Sequence, residues 1–293
     1  MRIISAPARL GANWLEHLPV RRPAPLPERR LPAEQELQEW LAAECFTTRP
    51  PVLQAKPLSL EWFLELEARR YSRRSRWLPR LLEFGKHAGE TVLGMGNGLG
   101  TDWVQYARHG ARLTVCGETS AMLDVVESNF QLRGFSPVVH RLPRAVGRLT
   151  LPIEDATVDV ACIRNFPAGF ELAETRREID RVLKPGGKLV LLVPARYNVV
   201  FWKRTLLLWR RWWENPQPSA SRPFSVRELH HLFKDYAEAC GYKRQLRRPE
   251  APAVWRWMPL PLLSRIMGNV LVFRAFKPLR SRIDNRLNGT CRS

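Results

Sequence analysis

Apolar residues in this chain fall into short runs separated by stretches of helical spacing. Runs at Thr91–Met95, Arg112–Cys116, Pro137–His140, Val158–Ile163 and Lys188–Val193 are bounded by polar or glycine-rich turns and read as strands. Between them, Thr101–His109, Ala121–Leu132 and Leu172–Leu183 read as helices. This alternation predicts a mostly parallel sheet covered on both faces. The Lys184-Pro185-Gly186-Gly187 segment is expected to end its helix and turn sharply into the next strand. Beyond Pro194 an amphipathic helix is expected over Ser225–Cys240, and strands at Tyr242–Leu246 and Asn269–Phe276 would bring the sheet to seven.

Upstream of the first strand the pattern predicts a helix from Leu58 to Tyr71 and a second around Trp77 to Phe84. Residues 1–57 carry nine prolines and one short helical stretch, Ala33 to Glu44, and read as a partly ordered extension. Residues 279–293 read as a basic tail.

With 293 residues and 45% hydrophobic content the chain can bury a sizeable core, which favours one α/β domain with extensions. Its five cysteines are odd in number and hold no close pair, arguing against a disulfide framework or a structural zinc cage and for a reducing compartment. The stretch Met1 to Pro19 lacks the apolar core of an export signal, and no run is apolar for the length of a bilayer span, so a cytoplasmic location is expected. The net charge of +19 changes the picture of partners. Residues 201–293 hold 19 Lys or Arg against 6 Asp or Glu, so nucleic acid, anionic lipid, an acidic partner and a merely well-solvated surface are all compatible with it.

Candidate chemistry centres on Val92-Leu93-Gly94-Met95-Gly96-Asn97-Gly98-Leu99-Gly100, a buried strand running into a glycine-dense turn that lets backbone approach a ligand. The dinucleotide pattern G-x-G-x-x-G fails from Gly94 and from Gly96, where its last position is Leu99 or Thr101, and no Gly-Lys-Ser or Gly-Lys-Thr completes a phosphate loop. What remains is G-x-G-x-G at 96, 98 and 100, opening a helix at Thr101-Asp102.

With these residues the chain resembles the class I methyltransferases that use S-adenosylmethionine, from about Leu58 to Pro278. The likeness is carried by the turn, by Ala107-Arg108-His109-Gly110-Ala111, by Leu151-Pro152 and by Thr157-Val158-Asp159-Val160. It continues through Glu178-Ile179-Asp180-Arg181-Val182-Leu183-Lys184-Pro185-Gly186-Gly187 and Phe224-Ser225-Val226-Arg227-Glu228-Leu229. The resemblance implies a seven-stranded, mostly parallel, Rossmann-like sheet with helices on both faces, and S-adenosyl-L-methionine as cofactor. It places Gly94, Met95, Gly96, Asn97 and Gly98 under the methionine moiety, Gly117 and Glu118 at the ribose, Arg148 and Leu149 beside adenine, and Asn165 to Ala168 facing the transferred methyl group.

Relatives usually hold carboxylates at the positions of Gly94, Gly117 and often Gly147, and glycine offers no side-chain acceptor. At roughly 1.5–3 kcal/mol per charged hydrogen bond, two such losses without replacement weaken binding by about two to four powers of ten. Glu118 could swing toward the ribose or be a solvated turn residue, and Asp102 could serve a local or supporting contact, the preferred reading, or replace a missing carboxylate. The acceptor loop Arg164-Asn165-Phe166-Pro167-Ala168-Gly169 names no general base, although proximity can supply much of a methyl-transfer rate. His109 reads as a helix C-terminal cap, Cys116 and Cys162 as small core residues, and Glu154, Asp155 and Asp159 as turn and packing residues.

Finally, a cationic aromatic helix is expected near 199–214. Trp202, Leu206, Trp209 and Trp213 share one stripe, with Lys203, Arg204, Arg210 and Arg211 off it, which suits packing across the cleft or peripheral contact with an anionic membrane. Nucleic-acid binding rests on charge alone, without a zinc-finger spacing or single-strand motif. The leading expectation is methyl transfer to a small-molecule or lipid-like acceptor. Its rivals are a noncatalytic scaffold of the same fold and a basic RNA-associated protein.

Overall fold

Every run expected to be a strand is one in the computed structural model of the protein, which describes residues 32–47, 50–72, 75–142, 149–166, 170–206, 222–246 and 248–279. The strands are β1 (Thr91–Gly96), β2 (Arg112–Gly117), β3 (Val138–Arg141), β4 (Val158–Arg164), β5 (Leu183–Pro194), β6 (Ala237–Arg244) and β7 (Val270–Phe276). They form one sheet in the order β3-β2-β1-β4-β5-β7-β6, parallel except for β7, which runs antiparallel to both neighbours. The order reverses between β1 and β4. In open α/β sheets the crevice beyond the carboxyl ends of strands at such a reversal is the usual ligand site.

The helices are α1 (Glu34–Glu44), α2 (Leu60–Arg70), α3 (Trp77–Leu82), α4 (Thr101–Arg108), α5 (Ser120–Gln131), α6 (Leu172–Val182), α7 (Val199–Leu206), α8 (Val226–Leu232) and α9 (Leu260–Met267). Two apolar layers cover the sheet. Leu93, Met95, Ile163 and Leu191 pack on one face with Ile179 of α6, and Val92, Cys162 and Val190 pack on the other with Trp103 and Val104 of α4. A third cluster joins Leu37 and Leu41 of α1 and Trp62, Phe63 and Leu66 of α2 to Leu99 and Val125, laying these helices over the glycine turn.

Three expectations are corrected. The Ser225–Cys240 helix is only α8: a capping box on Ser225 and Glu228 starts it, but the chain leaves it after Leu232 and enters β6 at Ala237, where pairing with β7 satisfies the backbone. The Lys184–Gly187 segment is not a plain turn before its strand. Leu183 already pairs with Val158, and the register shift before Lys188 absorbs the extra residues, with Gly186 at φ +77°. The strand expected at Tyr242–Leu246 starts earlier and ends at Arg244.

The first part of the cationic helix is α7, where the Trp202 ring lies 5.5 Å from that of Trp255, tilted by 57°, within a satellite cluster containing Val199, Leu246, Leu263 and Met267. Trp209, Arg210, Arg211 and Trp213 lie outside the described residues. Among the described residues no helix is long and apolar enough to cross a membrane.

Candidate active site

The glycine turn leaves β1 at the reversal point and is pinched against the end of β4. Asn97 donates its N–H to the Arg164 carbonyl (2.9 Å), and at Gly96, φ +102°, any Cβ would run into the Arg164 and Asn165 carbonyls. Asn165 itself is left-handed at φ +61° and donates its N–H to Leu192 O (3.1 Å).

The spaces beside the glycines are filled by the chain's own side chains. A Cβ at Gly94 would sit 2.7 Å from the indole of Trp103, which is buried and donates Nε1–H to Cys162 O (3.3 Å). Tryptophan therefore takes the volume that a carboxylate at this position would need. At Gly117 a Cβ would meet Met122 and Leu123 from the first turn of α5. At Gly98 it would lie 2.9 Å from Arg164 Nη1 and 3.1 Å from Glu44 Oε2.

Glu44 was not anticipated. It is the last residue of α1, fully buried, and its Oε2 accepts from Leu99 N–H (3.0 Å) and from the Arg164 guanidinium. Arg164 also donates to Ala43 O (2.8 Å), and Arg70 donates to Glu44 O, so two guanidiniums satisfy C-terminal carbonyls of a helix whose own last turn has no basic residue. Arg70 binds the Asp102 carboxylate through Nε (2.6 Å) and Nη2, and Tyr71 OH donates to it as well (2.7 Å). Phe46 lies beneath both guanidiniums, 4.6 Å from Arg70 and 5.4 Å from Arg164.

Two carboxylates and two guanidiniums thus form a neutral network closed off from water. Burial alone raises the Glu44 carboxyl, but Arg164 and Arg70 outweigh it and hold it below the ordinary carboxylate range. Asp102 behaves the same way, with Arg70 outweighing burial. Asp102 is therefore a buried ion-pair member at the start of α4, in line with the supporting contact preferred for it.

Of the other expected site residues, Met95 and Leu149 are buried together in one hydrophobic layer, Glu118 and Asn165 are half-buried, and Arg148 lies outside the described residues. His109 ends α4 with Nδ1 on Gln105 O (2.8 Å). Burial pushes the thiols of Cys116 and Cys162 up to about 12, which suits packing rather than nucleophilic roles. Asp159 receives Thr91 N–H and pairs with Lys184, and Asp155 pairs with Arg181, as local roles require. An open, mostly apolar cavity of about 900 Å³ lies between α2, α3 and α4, lined by Leu64, Tyr71, Phe84, Gln105 and His109, and by no residue of the glycine turn.

With α1 seated in this way, Glu44 and Arg164 stand against Gly98, at the methionine end of the expected cofactor site. Two signals in the sequence pointed to this network. Arg164 follows the apolar run Val160-Ala161-Cys162-Ile163, and Glu44 follows Leu41-Ala42-Ala43, so each is a charge in an apolar setting that calls for a partner if buried.

Residues 92–191 match a family model described as a methyltransferase domain. The chain is 34% identical over 122 residues to an uncharacterised methyltransferase of Schizosaccharomyces pombe, covering 41% of this chain and 45% of that protein. It is 33% identical over 126 residues to a demethylmenaquinone methyltransferase of Tropheryma whipplei, covering 41% and 49%. The chain thus spans about half the length of the curated relatives it matches. A chain from the solved complex of the Haloferax volcanii Trm112 methyltransferase activator with a methyltransferase shares the fold at a TM-score of 0.50 and 18% identity, over 77% of this chain and 100% of that one. Residues 92–191 thus match a methyltransferase domain by sequence, and the seven-stranded sheet that contains them has the class I methyltransferase fold.

Proposed function

We propose that this protein transfers a methyl group from S-adenosylmethionine to a small-molecule or lipid-like acceptor. The observation that carries the reading is the position of the turn Gly94–Gly100, inside the matched domain and at the reversal between β1 and β4. A relative named for demethylmenaquinone supports a small acceptor over a macromolecular one. The ribose would meet Gly117 and Glu118, and the base Leu149 and Arg148. Peripheral contact of a cytoplasmic protein with an anionic membrane belongs to the same proposal, supported by exposed Phe201, Trp257 and Leu262 on segments that also carry Lys203, Arg256 and Arg265.

A second reading, a noncatalytic scaffold, is favoured by one specific observation: Trp103 stands at Gly94 and Met122 and Leu123 at Gly117, where relatives hold carboxylates, and Glu44 stands against the turn at Gly98. Titration calorimetry of the full chain with S-adenosylmethionine and S-adenosylhomocysteine separates the two. Saturable binding that is abolished by Gly96→Trp supports the enzyme, and no heat at millimolar ligand supports the scaffold.

A further inference from the structure

We infer that the glycine turn is a carboxylate-binding site whose present ligand is the chain's own Glu44, and that Glu44 competes there with the carboxylate of the cofactor's methionine. The inference rests on the proposed cofactor reading, and it gives the contact of Glu44 with the turn at Gly98 a role.

The site is built from three elements that converge on one carboxylate. Leu99 N–H comes from the turn, the Arg164 guanidinium from the end of β4, and Arg70 from the end of α2, with its Nε 3.7 Å from Glu44 Oε1. A backbone N–H with a guanidinium is the donor set that recognises a carboxylate. Glu44 is a γ-carboxylate delivered from another segment, and the methionine of the cofactor ends in the same chemical group.

Two features indicate an occupant rather than a fixed part of the core. Glu44 Oε1 and Arg164 Nε are buried without hydrogen-bond partners, so the seated state leaves polar capacity unused. Moreover, α1 is held mainly at its C-terminal end: no side chain caps its N-terminus, and the buried residues along it are Leu37, Leu41 and Glu44. If Glu44 leaves, Arg70 and Arg164 face Asp102 alone, and the excess positive charge in a dry site calls for an anion.

Calorimetry on full-length wild-type protein, Glu44→Ala and Glu44→Gln tests this with two ligands. S-adenosylhomocysteine carries the carboxylate, and 5′-methylthioadenosine has the nucleoside without it. The expected result is at least tenfold tighter binding of S-adenosylhomocysteine to both variants and no comparable gain for methylthioadenosine. Hydrogen exchange on wild-type protein gives a readout independent of mutation: saturating S-adenosylhomocysteine should increase exchange across residues 34–44. Equal S-adenosylhomocysteine affinity in wild type and variants would overturn the inference while leaving the cofactor reading intact. An equal gain for both ligands would replace charge competition by simple crowding and overturn it too. Binding by none of the three proteins would overturn both this inference and the enzyme reading.

Discussion

Over the glycine turn, α1 and α2 are locked by Glu44, Arg70, Asp102 and Arg164, all nearly inaccessible to water, whereas at the other end of the sheet α7 and α9 meet through Val199, Trp202, Trp255, Leu263 and Met267. Both layers are additions to the same sheet. The apolar layer gains a little from each methylene and tolerates partial exposure, as its half-exposed Trp202 illustrates. The charged layer is all-or-none: complete, it is neutral, but one missing partner leaves an uncompensated charge in a dry site. Such a layer positions a segment sharply and can also release it as a unit.

The contrast is broken most directly at Arg70. Arg70→Met should cost about 3–5 kcal/mol in urea unfolding, since it strands Asp102 and half of Glu44's ion pairing. A cost below about 1 kcal/mol would show that the network is slack. Next comes Gly94→Ala, which drives a methyl into an indole pinned by Cys162 O. About 2–3 kcal/mol should be lost, and Trp103→Leu in the same chain should recover part of it. In the apolar layer Trp202→Ala should cost about 2 kcal/mol, below the range for a fully buried tryptophan, and its effect should add to that of Arg70→Met because the layers share no partner.

The smallest effect is a pH one. Hydrogen bonds from Lys188 (2.7 Å) and Lys86 hold the Glu83 carboxyl down at about 2, against an ordinary value of 4.5. A depressed carboxyl stabilises the fold fully above its unfolded value, so this contribution is lost as pH falls from 4.5 toward about 2. Glu83→Gln should flatten that part of a Tm-against-pH profile while leaving the acid sensitivity that comes from Glu44 and Asp102, whose carboxyls are also held low.

The strands of the sheet were legible because a strand buried on both faces is a nearly continuous apolar run, as at Val158–Arg164 and Val190–Val193. The turn was legible because Gly96 and Gly100 answer to local backbone conformation. The end of α8 was not. Whether residues 233–240 continue a helix or join β6 depends on the free edge of β7, which no local pattern reveals. Trp103 read as an ordinary helix residue, and its place over Gly94 follows from how α4 packs on β1 and β4.

The sequence by itself determined the order of elements, the seven strands and the position of the bare turn, since period, length and glycine placement are local properties of the chain. Only the tertiary structure decided what faces that turn. Glu44 and Arg164 are 120 residues apart, and their pairing is set by the packing of α1 over the turn rather than by any signal either carries alone.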